Sequence, residues 1–362
     1  MAASFTKPIV LTKSWLTHLK LLRFSAISLF FWLFLSLPAL ATEPGLNFPS
    51  DQVKVTHSEA LMGTRMDFTV YSEDKVAAHS AIEAAIAEVQ RITHLVSEWE
   101  PDSEISKINQ AAGQEAVVVS KEVYRLLDEA VKISTMTQGT FDITFAGAGK
   151  LWDFRQRVIP SPQKVAAARQ FIDYRQITLN SENLGVQLQK EGMKIGLGGI
   201  AKGYAIDRSV QILTQHGFVD FAVNAGGDLY VSSGASQKPW RIGLQAPRNQ
   251  QALLAILPVA NVAIATSGDY ERFFIQNGKR YHHIIDPATG YPAEASQSVT
   301  IVAQRAYLAD ALATGVFVLG PRVGMALVET LPDVEALIVG HDGAITLSSG
   351  LTAKLAKPHQ GG

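Results

Sequence analysis

Two adjacent histidines, His282 and His283, stand directly before Ile284, Ile285 and the run Asp286-Pro287-Ala288-Thr289-Gly290. A neutral imidazole near pH 7 can take a proton from an attacking hydroxyl, so either histidine is a candidate general base. In an alternating strand the two face opposite sides, and only one can enter a given site. The residues that follow explain a turn: Pro suits its second position, Asp accepts backbone hydrogen bonds and Gly290 can close it. A histidine held by hydrogen bonds within a strand is the structural alternative.

A second candidate is KIGLGGIAKGYAIDRSVQILTQHG, residues 194–217. Its spacing predicts a short strand, a loop through Gly196, Gly198 and Gly199, and a helix that ends at His216-Gly217. Such a loop lets backbone N–H groups approach an anion, and the helix N-terminus adds partial positive charge, which suits a phosphate. Lys202 in the first turn opposes the helix dipole unless it faces an anion. The order Lys-Gly-Tyr excludes a P-loop, which needs Gly-Lys-Ser/Thr. Gly196, Gly198 and Ala201 satisfy G-x-G-x-x-A, with Asp220 where a Rossmann acid could fall, so an oxidoreductase stays open. A glycine turn that only lets a helix pack closely is the other reading. Asp310 and Thr314 are four apart in YLADALATGVFVLG, on one helix face, and a carboxylate with a hydroxyl suits a hard cation such as Mg²⁺. Either residue could instead serve the helix itself, Asp through the dipole and Thr through the preceding turn. Trp99, and Phe141 beside Asp142, offer stacking surface for flat rings or equally good core.

These groups need a scaffold, and composition bounds it. At 362 residues the length suggests roughly two lobes of ~150 residues. Lys and Arg number 32 against 33 Asp and Glu, a net charge of −1 without a block of like charges, so neither nucleic acid nor a polybasic membrane patch is indicated. Cysteine is absent, which removes thiol nucleophiles, disulfides, cysteine zinc sites, iron–sulfur clusters and covalent haem. Lys7, Lys13, Lys20 and Arg23 precede FSAISLFFWLFLSLPALA, whose close at Ala39-Leu40-Ala41 predicts a signal peptide over 1–41 and a periplasmic protein. An uncleaved inner-membrane anchor facing the periplasm is the alternative, since Leu19 to Leu40 could cover the ~20 residues of a span. A linker at 42–52, one domain at 53–350 and a tail at 351–362 complete the division.

Within that domain VKVTHSEA and TRMDFTVY alternate around Leu61-Met62-Gly63 as two strands around a turn would. A helix follows, capped by Ser72 with Glu73 and Asp74 in its first turn, and Ile82, Ile86, Val89, Ile92 and Val96 share one face. Ser120 caps a second helix and Ser161-Pro162 opens a third. After residue 217, FAVNAGGDLYVSS, WRIGLQA, AIATSGDYERFFI and RYHHII read as short strands, up to a helix near Ala306 to Leu319. The pattern gives the α+β class, with mixed sheets and packed helices, rather than a doubly wound sheet.

LMGT, DSEISKIN, GTFDIT followed by LW, GLGGIAKGYAID, NAGGDLYV, TSGDYERFF, HIIDPATGYP and DALATGVFVLG, in this order, resemble the ApbE family of FAD:protein FMN transferases over roughly residues 53–350. HIIDP-x-TG-x-P and GGIAKGYA-x-D are the specific parts. The resemblance implies an ApbE-like fold of two lobes with the FAD site between them. It also implies Mg²⁺-assisted transfer of the FMN half of FAD to a threonine hydroxyl of an exported or membrane-bound target protein, with release of AMP. By the same resemblance Mg²⁺ lies between the backbone carbonyl near Gly199 and the side chains of Asp310 and Thr314, and Lys202 approaches the phosphates. Met62, Trp99, Phe141 and Asp142 match positions lining the adenine and flavin-linked parts, with Gly196 and Ile284 also at the FAD. His283 becomes the base or orienting group and His282 its non-catalytic neighbour. One departure stands out: family members commonly carry Asp where this chain has Gly196, leaving a water or Asp142 as the replacement. An FAD-binding protein that transfers nothing and the Rossmann-type oxidoreductase remain the other readings.

Overall fold

The structure, a computed structural model, describes residues 52–234 and 238–355. The signal segment 1–41 and nearly all of the linker lie outside the described residues. The described residues belong to one compact unit, Leu46–Gly362, so the two lobes suggested by length are not separate units.

Its frame is a sheet of eight strands: β1 (Val53–Leu61), β2 (Thr64–Ser72), β3 (Phe221–Ala225), β4 (Asp228–Ser232), β5 (Val262–Gly268), β6 (Ser296–Ala303), β7 (Glu335–Gly340) and β8 (Ile345–Leu347). Strands consecutive in this order are neighbours in the sheet, and each pair is antiparallel. Side chains alternate between two faces, as the period of a strand requires. Ala263, Ala265, Val299, Ile301, Ala336 and Ile338 join the large core, while the residues between them, Ile264, Val302, Leu337 and Val339, join a smaller cluster. Three helices cover the first face: α1 (Lys75–Val96), α2 (Ala201–Gln215) and α3 (Ala306–Val328). The hairpin Trp240–Ala246 and Asn249–Val259 supplies Leu244 and Leu257 to the second.

Several local expectations change. Asp74, not Ser72, caps α1: its carboxylate accepts from the amides of Val76 and Ala77, while the Ser72 hydroxyl accepts from Asp74 N–H and donates to its carbonyl. No strand precedes the glycine loop. The side-chain amide of Asn109 pairs with Ile195 in both directions, at 2.9 and 2.7 Å, and so supplies the backbone partners that a neighbouring strand would give. Helix α3 continues past Leu319 to Val328 across a break at Gly320, whose φ of 77° and following Pro321 interrupt the regular turn. The boundary at 350 cuts a helix, Ser349–Leu355, that buries Leu351 in the smaller cluster.

Antiparallel pairing also removes the Rossmann reading. A dinucleotide fingerprint needs a strand, a glycine turn and a helix within a parallel unit. Here the strand is missing, the main sheet is antiparallel, and Asp220 is buried with its carboxylate accepting from Gly234 N–H at 2.6 Å.

Candidate active site

The first half of the site is a charged corner where α2 crosses α3. Gly203 makes the crossing possible: a Cβ there would lie 2.2 Å from the carbonyl oxygen of Ala306 and 2.6 Å from Tyr307 Cα. Asp310, four residues into α3, therefore reaches the start of α2, where its carboxylate accepts from Gly203 N–H at 3.0 Å and from Lys202 Nζ at 3.3 Å. Asp228 closes the group from the sheet, pairing with the same ammonium and accepting from Thr266 N–H at 3.3 Å. Both carboxylates are buried.

Two carboxylates against one ammonium leave a formal charge of −1 in a corner whose carboxylates are buried. Burial opposes the charge on Lys202, but Asp310 and Asp228 outweigh it and hold the amine above the ordinary lysine value. Burial pushes Asp310 up from its ordinary value, Lys202 pulls it back down and Asp228 adds to the rise. The corner is thus short of positive charge. Thr314, one turn further along α3, brings its hydroxyl 3.4 Å from Ser267 Oγ and 3.4 Å from where a Cβ on Gly199 would stand. Oxygen donors with excess negative charge suit a hard divalent cation, which takes few protein ligands and keeps waters. Asp310, Thr314 and the chain at Gly199 fit such an ion by donor chemistry, and no group of three or more His, Cys, Asp or Glu with metal-binding geometry occurs among the described residues.

The second half is the histidine turn. Asp286 accepts from Ala288 N–H at 2.9 Å through its carboxylate and from Gly290 N–H at 2.8 Å through its carbonyl, while Asp286 N–H donates to Tyr291 at 2.8 Å. Gly290, at φ 76°, takes the left-handed position that the sequence assigned it. Trp152 and Arg169 donate to the carbonyls of Gly290 and Ala288 and fix the turn from outside. The strand Lys279–His282 stops before His283, which lies beyond it in a bend, so strand alternation does not set its direction. His282 is buried: Nε2 donates to the carbonyl of Ala293 at 2.8 Å and Nδ1 accepts from Ile284 N–H at 3.3 Å, which sets one neutral tautomer. His283 keeps a buried Nδ1 without a hydrogen-bond partner. Burial first, then His282, Arg272 and Lys202, push its pKa down to about 3, so the ring is neutral at physiological pH. The backbone N–H of His283 donates to the carbonyl of Arg272 at 3.1 Å, and Lys202 is the smallest of the charged influences that lower the ring's pKa.

The sequence profile of the ApbE family matches residues 62–338. The chain belongs to the ApbE family. It is 35% identical over 319 residues to the FAD:protein FMN transferase of Treponema pallidum, covering 83% of this chain and 88% of the relative. To a transferase of the same name from Klebsiella pneumoniae it is 32% identical, over 83% and 93% of the two chains. The crystal structure of the ApbE protein of Thermotoga maritima superposes with a TM-score of 0.77 at 34% identity, over 84% of this chain and all of that one. The flavin transferase ApbE of Vibrio cholerae gives 0.75 at 28% identity, over 84% and 99%.

The remaining family-derived positions divide into surface, packing and site. Met62 occupies the two-residue turn between β1 and β2 at φ 50°, beside Gly63 at φ 72°, a left-handed pair suited to a tight hairpin. Trp99 is 74% exposed, with Lys150 Nζ 4.5 Å from its ring centroid, so its indole is available for stacking. Phe141 is buried as a wedge: its ring lies 3.3 Å from the Cβ position of Gly199 and its Cβ lies 3.2 Å from that of Gly315. It supports the glycine loop from beneath. Asp142 caps the turn Ile143–Phe145 and accepts from Thr144 N–H, the Thr144 hydroxyl and Tyr174 N–H, at 2.8, 2.6 and 2.9 Å. Burial raises its pKa against those bonds, two of which fall on Oδ1 and one on Oδ2. Ile284 is buried, and its carbonyl accepts from Ala293 N–H at 2.9 Å. Sequence reasoning missed Asp228. Its signal was the acid directly after Gly226-Gly227, whose φ values of 66° and 108° make a turn that starts β4 at the mouth of the corner.

Proposed function

We propose that this chain transfers the FMN half of FAD to a threonine hydroxyl of a target protein and releases AMP. The observation that carries the reading is the unpartnered Nδ1 of a neutral His283, and a corner short of positive charge at Lys202 and Asp310 supports it. An acceptor left without a donor in a buried place costs stability, about 1–3 kcal/mol, and a substrate hydroxyl relieves that cost.

In the reaction the threonine oxygen forms a bond to the FMN phosphorus, the bond from that phosphorus to the bridging oxygen breaks, and AMP leaves with the electron pair. The hydroxyl proton passes to His283 Nδ1. General-base help of this kind is typically worth ~10²–10⁴-fold. Burial is the main reason the imidazole pKa is low, and a diphosphate next to Lys202 would offset only the smaller cationic part of that lowering. Lys202 supplies positive charge at the phosphates, with Asp228 and Asp310 fixing its position. Asp310, Thr314 and the backbone near Gly199 would hold Mg²⁺, which supplies charge neutralisation on the diphosphate. The stiff turn from Asp286 to Gly290 keeps the imidazole in place while a target segment enters.

The basic, apolar and small-residue pattern of residues 1–41 supports export, with the target on the periplasmic side of the membrane or in the periplasm. Denaturing gels of envelope proteins test the reading: a flavin-fluorescent protein band should be present with the chain, absent on its deletion, and not restored by His283→Ala. A covalent flavin band that persists after deletion would overturn it.

A further inference from the structure

We propose that Glu98, with Lys150 and Trp99, reads the amino-bearing base of the dinucleotide, a role that rests on the transferase reading above. Helix α1 ends at Val96, and the next residues are held in a fixed bend: the Ser97 hydroxyl accepts from the amides of Trp99 and Glu100, each at 3.2 Å, and the Ser97 carbonyl accepts from the Ser103 hydroxyl. That bend presents two neighbouring side chains in different ways. Trp99 turns its indole to solvent. Glu98 turns inward, and its Oε1 comes to 3.3 Å from where a Cβ on Gly196 would lie.

The glycine leaves room for the carboxylate. A Cβ at 196 would also stand 3.0 Å from Ala146 Cβ, so a side chain there would crowd Glu98 and displace it by a few tenths of an ångström. Gly196 itself is anchored, its N–H donating to the carbonyl of Ile143 at 2.9 Å, and the loop leads within six residues to Lys202 at the phosphate corner. Lys150 Nζ lies 3.0 Å from Oε2 as an ion pair without hydrogen-bond geometry, and that buried oxygen has no hydrogen-bond partner. The same ammonium lies over the Trp99 ring.

An exposed aromatic face, an ion-paired carboxylate and an adjacent ammonium make a reader for a flat heterocycle with a donor next to an acceptor. Adenine has that edge: its exocyclic amine would donate to Glu98, and the neighbouring ring nitrogen would accept from Lys150. The flavin ring has it less well, because its one imide N–H lies between two carbonyl oxygens that a carboxylate repels. Hypoxanthine reverses the adenine pattern, with an oxygen in place of the amine and an N–H in place of the ring acceptor.

Binding of FAD and of its hypoxanthine analogue to the whole chain, followed by flavin fluorescence, tests this. The wild type should prefer FAD by about 10- to 100-fold, the scale of a hydrogen bond to a charged group. Glu98→Ala should lose that preference by weakening FAD while leaving the analogue nearly unchanged, and should weaken competition by AMP but not by FMN. Glu98→Gln keeps the size and one acceptor oxygen, so it should fold as wild type and show a smaller loss, which preserves the test should the alanine variant fold poorly. Equal affinity of the wild type for both dinucleotides, or a Glu98 effect that follows FMN instead of AMP, would overturn the assignment. Binding requires no transfer: discrimination without flavinylation would sink the transferase reading alone, and flavinylation without discrimination would sink this one alone.

Discussion

The charged corner and the histidine turn are built in opposite ways. The turn from Asp286 to Tyr291 is closed by hydrogen bonds among residues at most five positions apart, with Trp152 and Arg169 holding it from outside, and the His283 beside it offers one unpartnered ring nitrogen. The corner joins Lys202, Asp228 and Asp310 from a helix start, a strand start and a second helix, and it carries excess negative charge. A local device can hold a buried base rigidly in place. A corner drawn from three elements depends on the packing of the whole core, and its electrostatics respond to whatever binds there.

Variants on each side sharpen that contrast. His283→Ala should lower the transfer rate by ~10²–10⁴-fold with FAD binding retained, because the turn around it closes through other residues; single-turnover rates and binding titrations check both parts. Asp310→Ala should demand much more Mg²⁺ for any transfer, and an unchanged Mg²⁺ titration would contradict its ligand role. Gly203→Ala should destabilise the protein by about 1–3 kcal/mol or more, since the added methyl meets backbone and not a movable side chain; thermal or urea unfolding measures it.

Lys202→Met leaves Asp228 and Asp310 as like charges without their cation. Removing one partner of a fully buried pair costs about 3–5 kcal/mol, but the Lys202 side chain is 30% exposed, so solvent screening reduces the expected loss to about 1–3 kcal/mol. The sign with pH follows from Asp310. Its raised pKa means that the folded state keeps a proton the unfolded chain releases above about 3.8, so stability falls as pH rises through that window, more steeply in the variant. His283 acts in the other direction. The unfolded chain takes up a proton near 6.5 that the folded ring refuses until about 3, so stability is lost as pH falls between those values. His283→Ala should flatten that acid limb, a smaller effect that unfolding curves at several pH values would reveal.

The same contrast explains what was legible. Asp-Pro and Gly290 announce their turn because the chemistry that makes it lies within a few residues, whereas the strand ends at His282 and leaves His283 in a bend that alternation does not describe. The hairpin at Met62-Gly63 and the Ser120 and Ser161 caps are legible for the same reason. Asp228 was hidden because its partner is Lys202, 26 positions away, and a strand must bring the two together. The apolar stretch before the glycine loop looked like a strand because Ile195 does have strand-like partners, supplied by a distant asparagine amide. The bond from Tyr174 N–H to Asp142 was hidden likewise, because it depends on a fold that local spacing does not reveal.

The most direct test is a single turnover of the purified protein with FAD, Mg²⁺ and an acceptor protein bearing the target threonine, read by intact mass and AMP release together. The account requires the acceptor to gain one FMN for each AMP released, with His283→Ala binding FAD as wild type yet forming neither product at a comparable rate. Flavin transfer at the wild-type rate by that variant, or AMP release without modified acceptor, would contradict it.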